Sequence, residues 1–498
     1  MNQKKNSLGP LKKSLLSWLV IVAVLLVMDL IAIERMGILL ESFRVLVTFI
    51  VAFVVFSITV LVHEWGHFVA AKQMGLVVER FAIGFGPKVF GWKRGDVEYA
   101  LNWLPFGGFV QLPQMAAMDM VEGKSETDAS KLPPASPWAK SVTAFYGPLF
   151  SFLLAVVLAF IVWGTGIPQS KDFLTTTIGY VEPNSPAAKA GLQPGDQVLK
   201  INNQPVTRWA GRSGGVTEAV LLSVGKTVKV EVKRNEKVLT FNILPEKDPE
   251  MEGLRNLGFE KYFARTLIVD MAHKGSPAEQ AGLREGDQIL QVDGKPVYSV
   301  AHLNNLVVNA KGALKMLYLR DGKRHIAEVT PQKASNYHYA KMLGISFRVG
   351  EDQITQVDPW TMITNSMTFI YKTLRAVSSP DSDVGLRHLS GPIGIFDKLM
   401  MLLTIDPRLV IYFGVVLNVN LAVINLFPIP VLDGGHIILC IIEAIRRRPM
   451  EPKILQIVQT GFFVLLMGLF LFITFYDVRR VGERVIKKPK PFELPKFK

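Results

Sequence analysis

The sequence feature that most constrains this chain is a pair of histidines at the end of an apolar run. Residues 45–62 read VLVTFIVAFVVFSITVLV, and His63-Glu64-Trp65-Gly66-His67 follows them directly. Two histidines at positions i and i+4 of a helix point the same way and can hold one Zn²⁺, with the glutamate beside them as general base. Ionisable side chains in an apolar segment are costly and functional by default, so the stretch predicts zinc-dependent hydrolysis inside or at the edge of a membrane.

Composition favours a membrane protein and argues against a nucleic-acid partner. Of the 498 residues, 49% are hydrophobic and 20% are charged, and the apolar residues are concentrated in blocks. The net charge of +14 could indicate nucleic acid, but the cations flank the apolar blocks, as the positive-inside rule describes. The single cysteine, Cys440, excludes an intramolecular disulfide and is predicted to be a small core residue near a helix end.

Five apolar segments are long enough to cross a bilayer, which takes about 20 residues each. Asp29 interrupts the first segment, and no small-x-small cleavage site follows it, which favours a retained anchor over a signal peptide. Alternation from an inner N-terminus places residues 72–141 and the Arg446-Arg447-Arg448 loop inside and residues 167–408 outside. The same alternation places the Lys/Arg-rich tail, residues 479–498, outside, which the positive-inside rule does not predict. The five segments are residues 15–33, 38–70, 142–166, 409–427 and 454–476.

The outer part of the chain contains an internal repeat. Residues 185–199, SPAAKAGLQPGDQVL, recur as residues 276–290, SPAEQAGLREGDQIL, and each copy is predicted to run from a short helix into a strand. The pattern resembles tandem, circularly permuted PDZ domains. The resemblance implies a groove that accepts an extended peptide by strand addition, with Leu257-Gly258-Phe259 and Leu343-Gly344-Ile345 as the turns that cradle a carboxylate. Whether the repeats bind peptide or act as a steric filter stays open.

A third metal ligand is predicted near residue 433, because two histidines leave zinc short of its usual three protein ligands. Asp433 follows a long apolar run in which Pro428 and Pro430 break the helix, and irregular backbone at membrane depth needs cover from protein or water. A carboxylate there needs a cation and the zinc site needs an anion, so each offsets the other's desolvation. The other six histidines are interpreted as surface or satisfied residues, and only His436 is near this site. They are at positions 273, 302, 325, 338, 388 and 436.

The two motifs together, HExxH and Asn-x-x-Pro-x-Pro-x-Leu-Asp-Gly beginning at Asn425, resemble the site-2 protease family of intramembrane zinc metalloproteases. The tandem PDZ insertion resembles the branch of that family that regulates sigma-E. The resemblance covers residues 40–476 and departs from the usual pattern at Tyr146 and at Ser151, where the family has Asn, which puts a polar role for Ser151 in question. Further matching stretches are Gly84-Phe85-Gly86-Pro87, Pro105-Phe106-Gly107-Gly108-Phe109-Val110, Tyr146-Gly147-Pro148 and Leu389-Ser390-Gly391-Pro392-Ile393-Gly394-Ile395.

The resemblance implies specific roles in the site. His63, His67 and Asp433 would hold Zn²⁺, and Glu64 would act as the general base. Asn425 would donate to the substrate backbone or the oxyanion, although a helix–helix hydrogen bond is an equal alternative for this residue. Residues 80–112 would form a β-rich loop that dips into the membrane from the inner side, and its edge would pair with an unwound substrate. Substrate contacts are expected at Asn425, Pro428, Pro430, Gly107, Gly108 and Phe109.

The predicted fold is a polytopic α-helical membrane protein with a site-2 protease core, a membrane-associated β-rich loop and two extracytoplasmic PDZ domains of α+β type. The predicted order is a basic N-terminus with an extra anchor (1–37), the first protease half (38–166), PDZ domain 1 (167–262), PDZ domain 2 (263–350), an amphipathic segment (351–408), the second protease half (409–478) and a basic tail (479–498).

The predicted function is intramembrane zinc endopeptidase in the bacterial inner membrane, acting in regulated intramembrane proteolysis and the stress response. The expected substrates are transmembrane segments of single-span proteins, either anti-sigma factors or remnant signal peptides, after a first cut by a site-1 protease. The alternative is a non-enzymatic membrane scaffold whose PDZ pair captures outer peptides. A transporter is disfavoured, because the sequence lacks inverted repeats.

Overall fold

The structure is a computed structural model that describes residues 36–115, 127, 131–211, 214–249, 251–262, 267–333, 341–347, 352–448 and 450–486. Their contacts divide the chain into two compact units. The helical unit takes the described residues of Met1–Thr165, Asp358–Ile363 and Gly391–Thr474. The repeat unit takes those of Gly166–Val357, Thr364–Ser390 and Phe475–Lys498.

Long apolar helices build the helical unit. They are α1 (Met36–Gln73), α2 (Pro137–Thr165), α8 (Pro392–Ile405), α9 (Pro407–Asn425), α10 (Asp433–Arg446) and most of α11 (Pro452–Ile486), and α7 (Pro359–Ser378) begins there. Within the described residues, four segments are long and apolar enough to cross a membrane: Val45–Gln73, Pro137–Thr165, Pro407–Asn425 and Ile454–Glu483. They match four of the five predicted spans, and the anchor predicted at residues 15–33 lies outside the described part of the chain.

Helix α2 is the centre of the helical unit, because it packs against α1, α9 and α10. Small residues allow the close approach that helices need where no water drives them together. A Cβ on Gly66 of α1 would lie 2.2 Å from the Tyr146 carbonyl oxygen of α2, so only glycine fits there. The fully buried Asn418 of α9 donates to Thr59 Oγ1 of α1 at 3.3 Å, which ties these two helices together one turn before His63.

Between α1 and α2 the chain forms two long, bent strands, β1 (Arg80–Arg94) and β2 (Val97–Gln111). Residues 90–94 of β1 pair with 97–101 of β2, and residues 80–83 pair with both 98–101 and 108–111. Residues 97–101 and 108–111 therefore belong to one continuous strand, and residues 80–83 pair with both parts of it. The β-rich character predicted for residues 80–112 agrees with these strands.

The repeat unit holds two copies of one small α+β fold. The first repeat (residues 167–262) has a four-stranded sheet in the spatial order Gln204–Pro205, Gln197–Ile201, Val228–Arg234 and Lys237–Ile243. The second (residues 267–347) has the same order in Lys295–Pro296, Gln288–Val292, Leu314–Arg320 and Lys323–Val329. Each sheet covers its own core, with Ile178, Val198 and Val230 in the first and Val269, Ile289 and Met316 in the second. The helices are α3 (Pro186–Ala190), α4 (Val216–Leu221), α5 (Pro277–Gln280) and α6 (Val300–Val308).

The strands of the repeat unit follow in chain order. Those of the first repeat are β3 (Ile167–Ser170), β4 (Ile178–Val181), β5 (Gln197–Ile201), β6 (Gln204–Pro205), β7 (Val228–Arg234), β8 (Lys237–Ile243), β9 (Glu246–Asp248), β10 (Leu254–Asn256) and β11 (Phe259–Lys261). Those of the second are β12 (Val269–Ala272), β13 (Gln288–Val292), β14 (Lys295–Pro296), β15 (Leu314–Arg320), β16 (Lys323–Val329), β17 (Gln332–Lys333), β18 (Lys341–Met342) and β19 (Ile345–Phe347). After them β20 (Asp352–Thr355) returns to pair with β3.

The repeated Gly-Asp of the sequence builds the same buried ion pair in both copies. Asp196 is 1% exposed and accepts two hydrogen bonds of 2.6 Å from Arg234, which also donates to the Gly191 carbonyl. Asp287 is fully buried and accepts from Arg320 in the same way. A bidentate pair of this kind is stable in a core because both charges keep their hydrogen bonds. The duplication read from the sequence is therefore present in three dimensions.

Candidate functional site

The site begins on α1, whose last turns carry His63, Glu64 and His67 on the side that faces α2 and the turn before α10. The helix continues to Gln73, so the three residues share one regular backbone. The two imidazole Nε2 atoms lie 3.3 Å apart. The i, i+4 spacing read from the sequence therefore brings both rings to one point.

Asp433 reaches the same point because two glycines follow it. Helix α9 ends at Asn425, the chain turns over residues 426–432, and α10 begins at Asp433. A Cβ on Gly434 would lie 2.2 Å from the Leu426 carbonyl oxygen, and one on Gly435 would lie 2.0 Å from that of Ile429. The start of α10 thus packs directly on the preceding turn, and no side chain larger than hydrogen fits between them.

The three side chains have the spacing of a metal site. One oxygen of Asp433 lies 3.2 Å from His63 Nε2, and the other lies 3.4 Å from His67 Nε2. Ligands bound tetrahedrally to zinc at about 2.0–2.1 Å lie about 3.4 Å from one another. Oδ2 of Asp433 is buried and makes no hydrogen bond to any described residue. Two imidazole nitrogens and an unsatisfied carboxylate that converge in this way fit a zinc ion.

Helix α2 orients both imidazoles from behind. His67 Nδ1 donates to the Thr143 carbonyl at 2.8 Å, which fixes the proton on Nδ1 and leaves Nε2 free. His63 Nδ1 lies 3.0 Å from the fully buried Ser151 Oγ, which accepts its proton in the tautomer that leaves Nε2 unprotonated. The question that the family departure raised about Ser151 is answered here, because its hydroxyl contacts a predicted ligand. Hydrogen bonds of this type orient metal-binding histidines.

A cavity of about 330 Å³ opens onto the three predicted ligands. Glu64 lines it, and a Cβ on Gly108 of β2 would lie 3.1 Å from Glu64 Cγ, so the strand passes close to the Glu64 side chain. Asn425 also lines it, with Nδ2 3.4 Å from His63 Nε2. The lining residues are Val60, His63, Glu64, His67, Gly107, Gly108, Val110, Leu112, Met115, Ala144, Leu421, Asn425, Val431, Leu432, Asp433 and His436.

Some predicted substrate contacts lie elsewhere. Phe109 is 7% exposed and packs in a cluster with Ala82 and Ala100, so its ring does not line the cavity. Pro428 and Pro430 form the turn before α10 and are also not among the lining residues. His436 does line the cavity but is not part of the three-residue ligand group.

The two predicted carboxylate turns occupy equivalent places in the repeats. Leu257 is 2% exposed and its carbonyl accepts from Ala187 N–H at 2.9 Å, as the Leu343 carbonyl accepts from Ala278 N–H at 3.0 Å. Gly258 and Gly344 have φ values of +74° and +71°, and Phe259 and Ile345 begin β11 and β19. In the first repeat Gly258 N–H already donates to Asn256 Oδ1 at 2.9 Å.

The residues of α2 that support the histidines were not predicted from the sequence. A Cβ on Gly147 would lie 2.2 Å from His67 Nε2, so this glycine leaves the room that the second imidazole occupies. The stretch Tyr146-Gly147-Pro148 matches the family pattern, but its sequence alone indicates no role. Nothing local in the sequence links it, or Ser151, to a histidine some 80 residues away.

Comparison with known proteins identifies the group to which these features belong. A model of peptidase family M50 matches residues 51–469. A Neisseria meningitidis protein named as a zinc metalloprotease is 30% identical over 455 residues, covering 86% of this chain and 98% of the relative. The regulator of sigma-E protease of Escherichia coli is 28% identical, covering 86% and 97%. That of Haemophilus influenzae is also 28% identical, covering 85% and 97%.

Proposed function

Because the chain belongs to peptidase family M50 and is a zinc metalloprotease of the membrane, we propose that it hydrolyses peptide bonds within the bilayer, with zinc held by His63, His67 and Asp433. One observation carries the proposal. Three ligand atoms from two separate apolar stretches lie within 4.8 Å of one another, and a cavity opens onto them. Ionisable groups that converge at membrane depth are costly unless they serve a function.

The chain's own residues supply the proton transfers. His63, His67 and Asp433 would hold a zinc ion, which would supply Lewis-acid polarisation of a carbonyl and acidify water at the site. Glu64 lines the cavity beside the ligands, so its carboxylate takes the proton from the attacking water and delivers it to the leaving amine. Asn425 holds an amide donor next to His63, where it stabilises the developing oxyanion.

The substrate is a transmembrane helix that unwinds before it is cut. Helical carbonyls are engaged in i→i−4 hydrogen bonds, so an extended segment must form first. Gly107 and Gly108 of β2 line the cavity, and a strand at its wall offers a backbone edge with which such a segment pairs. The exposed Phe90, Trp92 and Trp103 of the same hairpin are the aromatic residues expected at a membrane interface.

The repeats are PDZ domains on the extracytoplasmic side, at residues 167–262 and 263–350, in a bacterial inner-membrane protein. Their equivalent Leu-Gly turns and the strands that follow support this assignment. Two relatives are named regulators of sigma-E protease, which supports anti-sigma factors, or remnant signal peptides, as substrates cut first by another protease. The remaining segments follow the predicted order: the anchor at 1–37, protease halves at 38–166 and 409–478, the connecting segment at 351–408 and the tail at 479–498.

The decisive test replaces Glu64 by Gln and follows a tagged single-span substrate in membranes. Loss of the general base should lower the rate of product formation by about 10²–10⁴-fold. Glu451→Gln makes the same chemical change at an exposed position just before α11 and should cleave normally. Metal analysis should find zinc in Glu64→Gln and little or none in Asp433→Ala.

The scaffold alternative makes the opposite prediction for the same variants. A protein that only captures peptides would leave the amount of product unchanged in Glu64→Gln. That result, or full zinc content in Asp433→Ala, would refute the proposed site.

A further inference from the structure

The first repeat contains a buried arginine whose carboxylate partner comes from outside the repeat. Arg255 lies on β10, two residues before Leu257, and is 3% exposed. Its Nε donates to Asp383 Oδ2 at 3.0 Å, and its two terminal nitrogens donate to Ser223 Oγ at 2.8 Å, to the Gly225 carbonyl at 3.3 Å and to the Asp381 carbonyl at 3.1 Å. The only carboxylate among these partners belongs to Asp383, which lies more than 120 residues later in the chain.

The second repeat shows that the fold itself does not need this acid. The aligned stretch of the second repeat, Lys341-Met342-Leu343-Gly344, places Lys341 where the first repeat has Arg255. Lys341 Nζ donates to the Ala310 carbonyl at 2.6 Å, as Arg255 donates to the Gly225 carbonyl, in both cases just after the helix of the repeat. Among the described residues no acid is paired with Lys341. The Arg255–Asp383 pair is therefore an addition to the first repeat.

Asp383 belongs to a segment, residues 379–390, that we call the bridging segment. It makes further contacts with the first repeat, since Arg387 donates to the Glu252 carbonyl at 2.9 Å and the Asp381 carbonyl accepts from Gly225 N–H at 3.1 Å. At its other end the Leu389 carbonyl accepts from Arg480 of α11 at 2.7 Å. The bridging segment thus connects the first repeat, at Gly225, Glu252 and Arg255, to the end of α11 within one unit.

We infer that the Arg255 pocket is a carboxylate-binding site, that Asp383 is its resident ligand, and that an external carboxylate competes for it and releases the bridging segment. A buried guanidinium that loses its only carboxylate is left with an uncompensated charge, so the pocket favours an anion of this shape. Because the remaining partners are neutral, Asp383 provides the charge-dependent part of the attachment. A partner with a free carboxylate therefore has a route to loosen the contact at Arg480. The inference does not depend on the zinc site.

The test is rescue by a small carboxylate in the full-length protein. Asp383→Ala removes the resident ligand, and Asp381→Ala is the matched control, because Asp381 contributes only its backbone carbonyl. In hydrogen exchange followed by mass spectrometry, Asp383→Ala should raise exchange of residues 246–257 and 379–390 by at least about tenfold, and Asp381→Ala should match the wild type. Sodium acetate should restore protection of residues 246–257 in Asp383→Ala, and sodium chloride at equal ionic strength should not.

Two further variants keep the result interpretable. Asp383→Asn keeps the shape of the side chain and removes its charge. Hydrogen exchange of residues 246–257 and 379–390 should therefore rise in Asp383→Asn as it does in Asp383→Ala. The rise in Asp383→Ala is then due to the lost charge and not to the smaller volume of alanine. Adding Arg255→Met to Asp383→Ala should remove the acetate effect. Equal exchange in Asp383→Ala and Asp381→Ala would overturn the inference, and so would acetate that protects no better than chloride.

Discussion

At the scale of single residues, Ser151 connects helix α2 to the proposed zinc site through one hydrogen bond. Its hydroxyl is fully buried on α2 and lies 3.0 Å from His63 Nδ1. The equivalent contact to His67 comes from a backbone carbonyl, which no substitution removes. Ser151 is therefore the position at which the orientation of a ligand can be changed without changing the ligand.

Ser151→Ala should lower zinc affinity by about tenfold, because the loss of an orienting hydrogen bond typically costs 10–100-fold. Ser151→Asn, which restores the residue usual in the family, supplies an amide oxygen as acceptor and should keep most of the affinity. Competition with a chromophoric chelator measures the affinity, and the visible spectrum of the cobalt-substituted protein reports the ligand geometry.

Ser57→Ala is the matched control, since Ser57 Oγ is buried on α1 and makes no hydrogen bond to any described residue. It should bind zinc as the wild type does. If Ser151→Ala also binds normally while His63→Ala and Asp433→Ala lose the metal, the orienting role is wrong and the zinc site stands. If His63→Ala and Asp433→Ala also bind zinc as the wild type does, the proposed zinc site itself is wrong.

Residues whose role depends on local spacing could be predicted from the sequence, and residues whose role depends on distant contacts could not. His63 and His67 share a helix face, and Asp433 follows a break in an apolar run, so each is visible as a local pattern. Ser151 contacts a residue 88 positions away and is an ordinary serine in an apolar helix when read alone. The prediction gave Asn425 two equal roles. The structure places Asn425 beside His63, while Asn418 makes the hydrogen bond between helices.

At the scale of secondary-structure elements, the turn between α9 and α10 determines where Asp433 lies. The turn is closed by short backbone hydrogen bonds, including 2.7 Å from Ile429 N–H to the Phe427 carbonyl and 2.8 Å from Leu432 N–H to the Ile429 carbonyl. Gly434 and Gly435 let α10 start in contact with that turn. Pro428 and Pro430 predicted the break in the helix, whereas the role of Gly434 and Gly435 in positioning α10 is visible only in the structure.

Gly435→Ala should displace the start of α10 and reduce zinc binding by at least about tenfold, since sites of this kind tolerate shifts of only about 0.5 Å. The added Cβ would lie 2.0 Å from the Ile429 carbonyl oxygen, so the turn or the helix must move. Gly468→Ala is the control in α11, where an added Cβ meets nothing within 4 Å. Metal analysis and substrate cleavage are measured on both. Normal zinc content in Gly435→Ala would contradict the role given to this turn.

The positions of the membrane-length helices were predictable because apolar runs of that length have few alternatives, but their ends were not, since α11 continues to Ile486 and α2 begins at Pro137. The strands near the site were harder, because pairing is not a local property. Residues 80–83 lie between residues 98–101 and 108–111, and neither partner is adjacent in sequence. Strand β20 likewise pairs with β3, although both repeats lie between these two strands in the sequence.

At the scale of the whole molecule, the end of α11 belongs with the repeats. Residues 475–486 fall in the repeat unit, where Arg480 donates to the Leu389 carbonyl and pairs with the buried Asp477 at 2.6 Å. The positive-inside rule predicts an inner location for a Lys/Arg-rich end, whereas counting the spans predicts an outer one. Because residues 475–486 belong to the same unit as the repeats, we expect the end of α11 on the same side of the membrane as the repeats, as the number of spans predicts.

Single cysteines should therefore label at residues 311 and 482 from one side of the membrane and at residue 96 from the other. Cys440→Ala first removes the only native thiol, and Lys311→Cys, Gly482→Cys and Asp96→Cys then mark the second repeat, the end of α11 and the β1–β2 turn. An added side chain at Gly482 meets nothing within 4 Å, and Lys311 and Asp96 are exposed.

An impermeant maleimide applied to intact spheroplasts should modify positions 311 and 482, and position 96 should react only after the membrane is opened. Among the described residues between the β1–β2 turn and the first repeat, α2 is the helix of membrane length, so positions 96 and 311 act as references for the two sides. If position 482 instead reacts only after the membrane is opened, as position 96 does, then α11 ends on the inner side. The contact between Arg480 and the bridging segment would then be wrong.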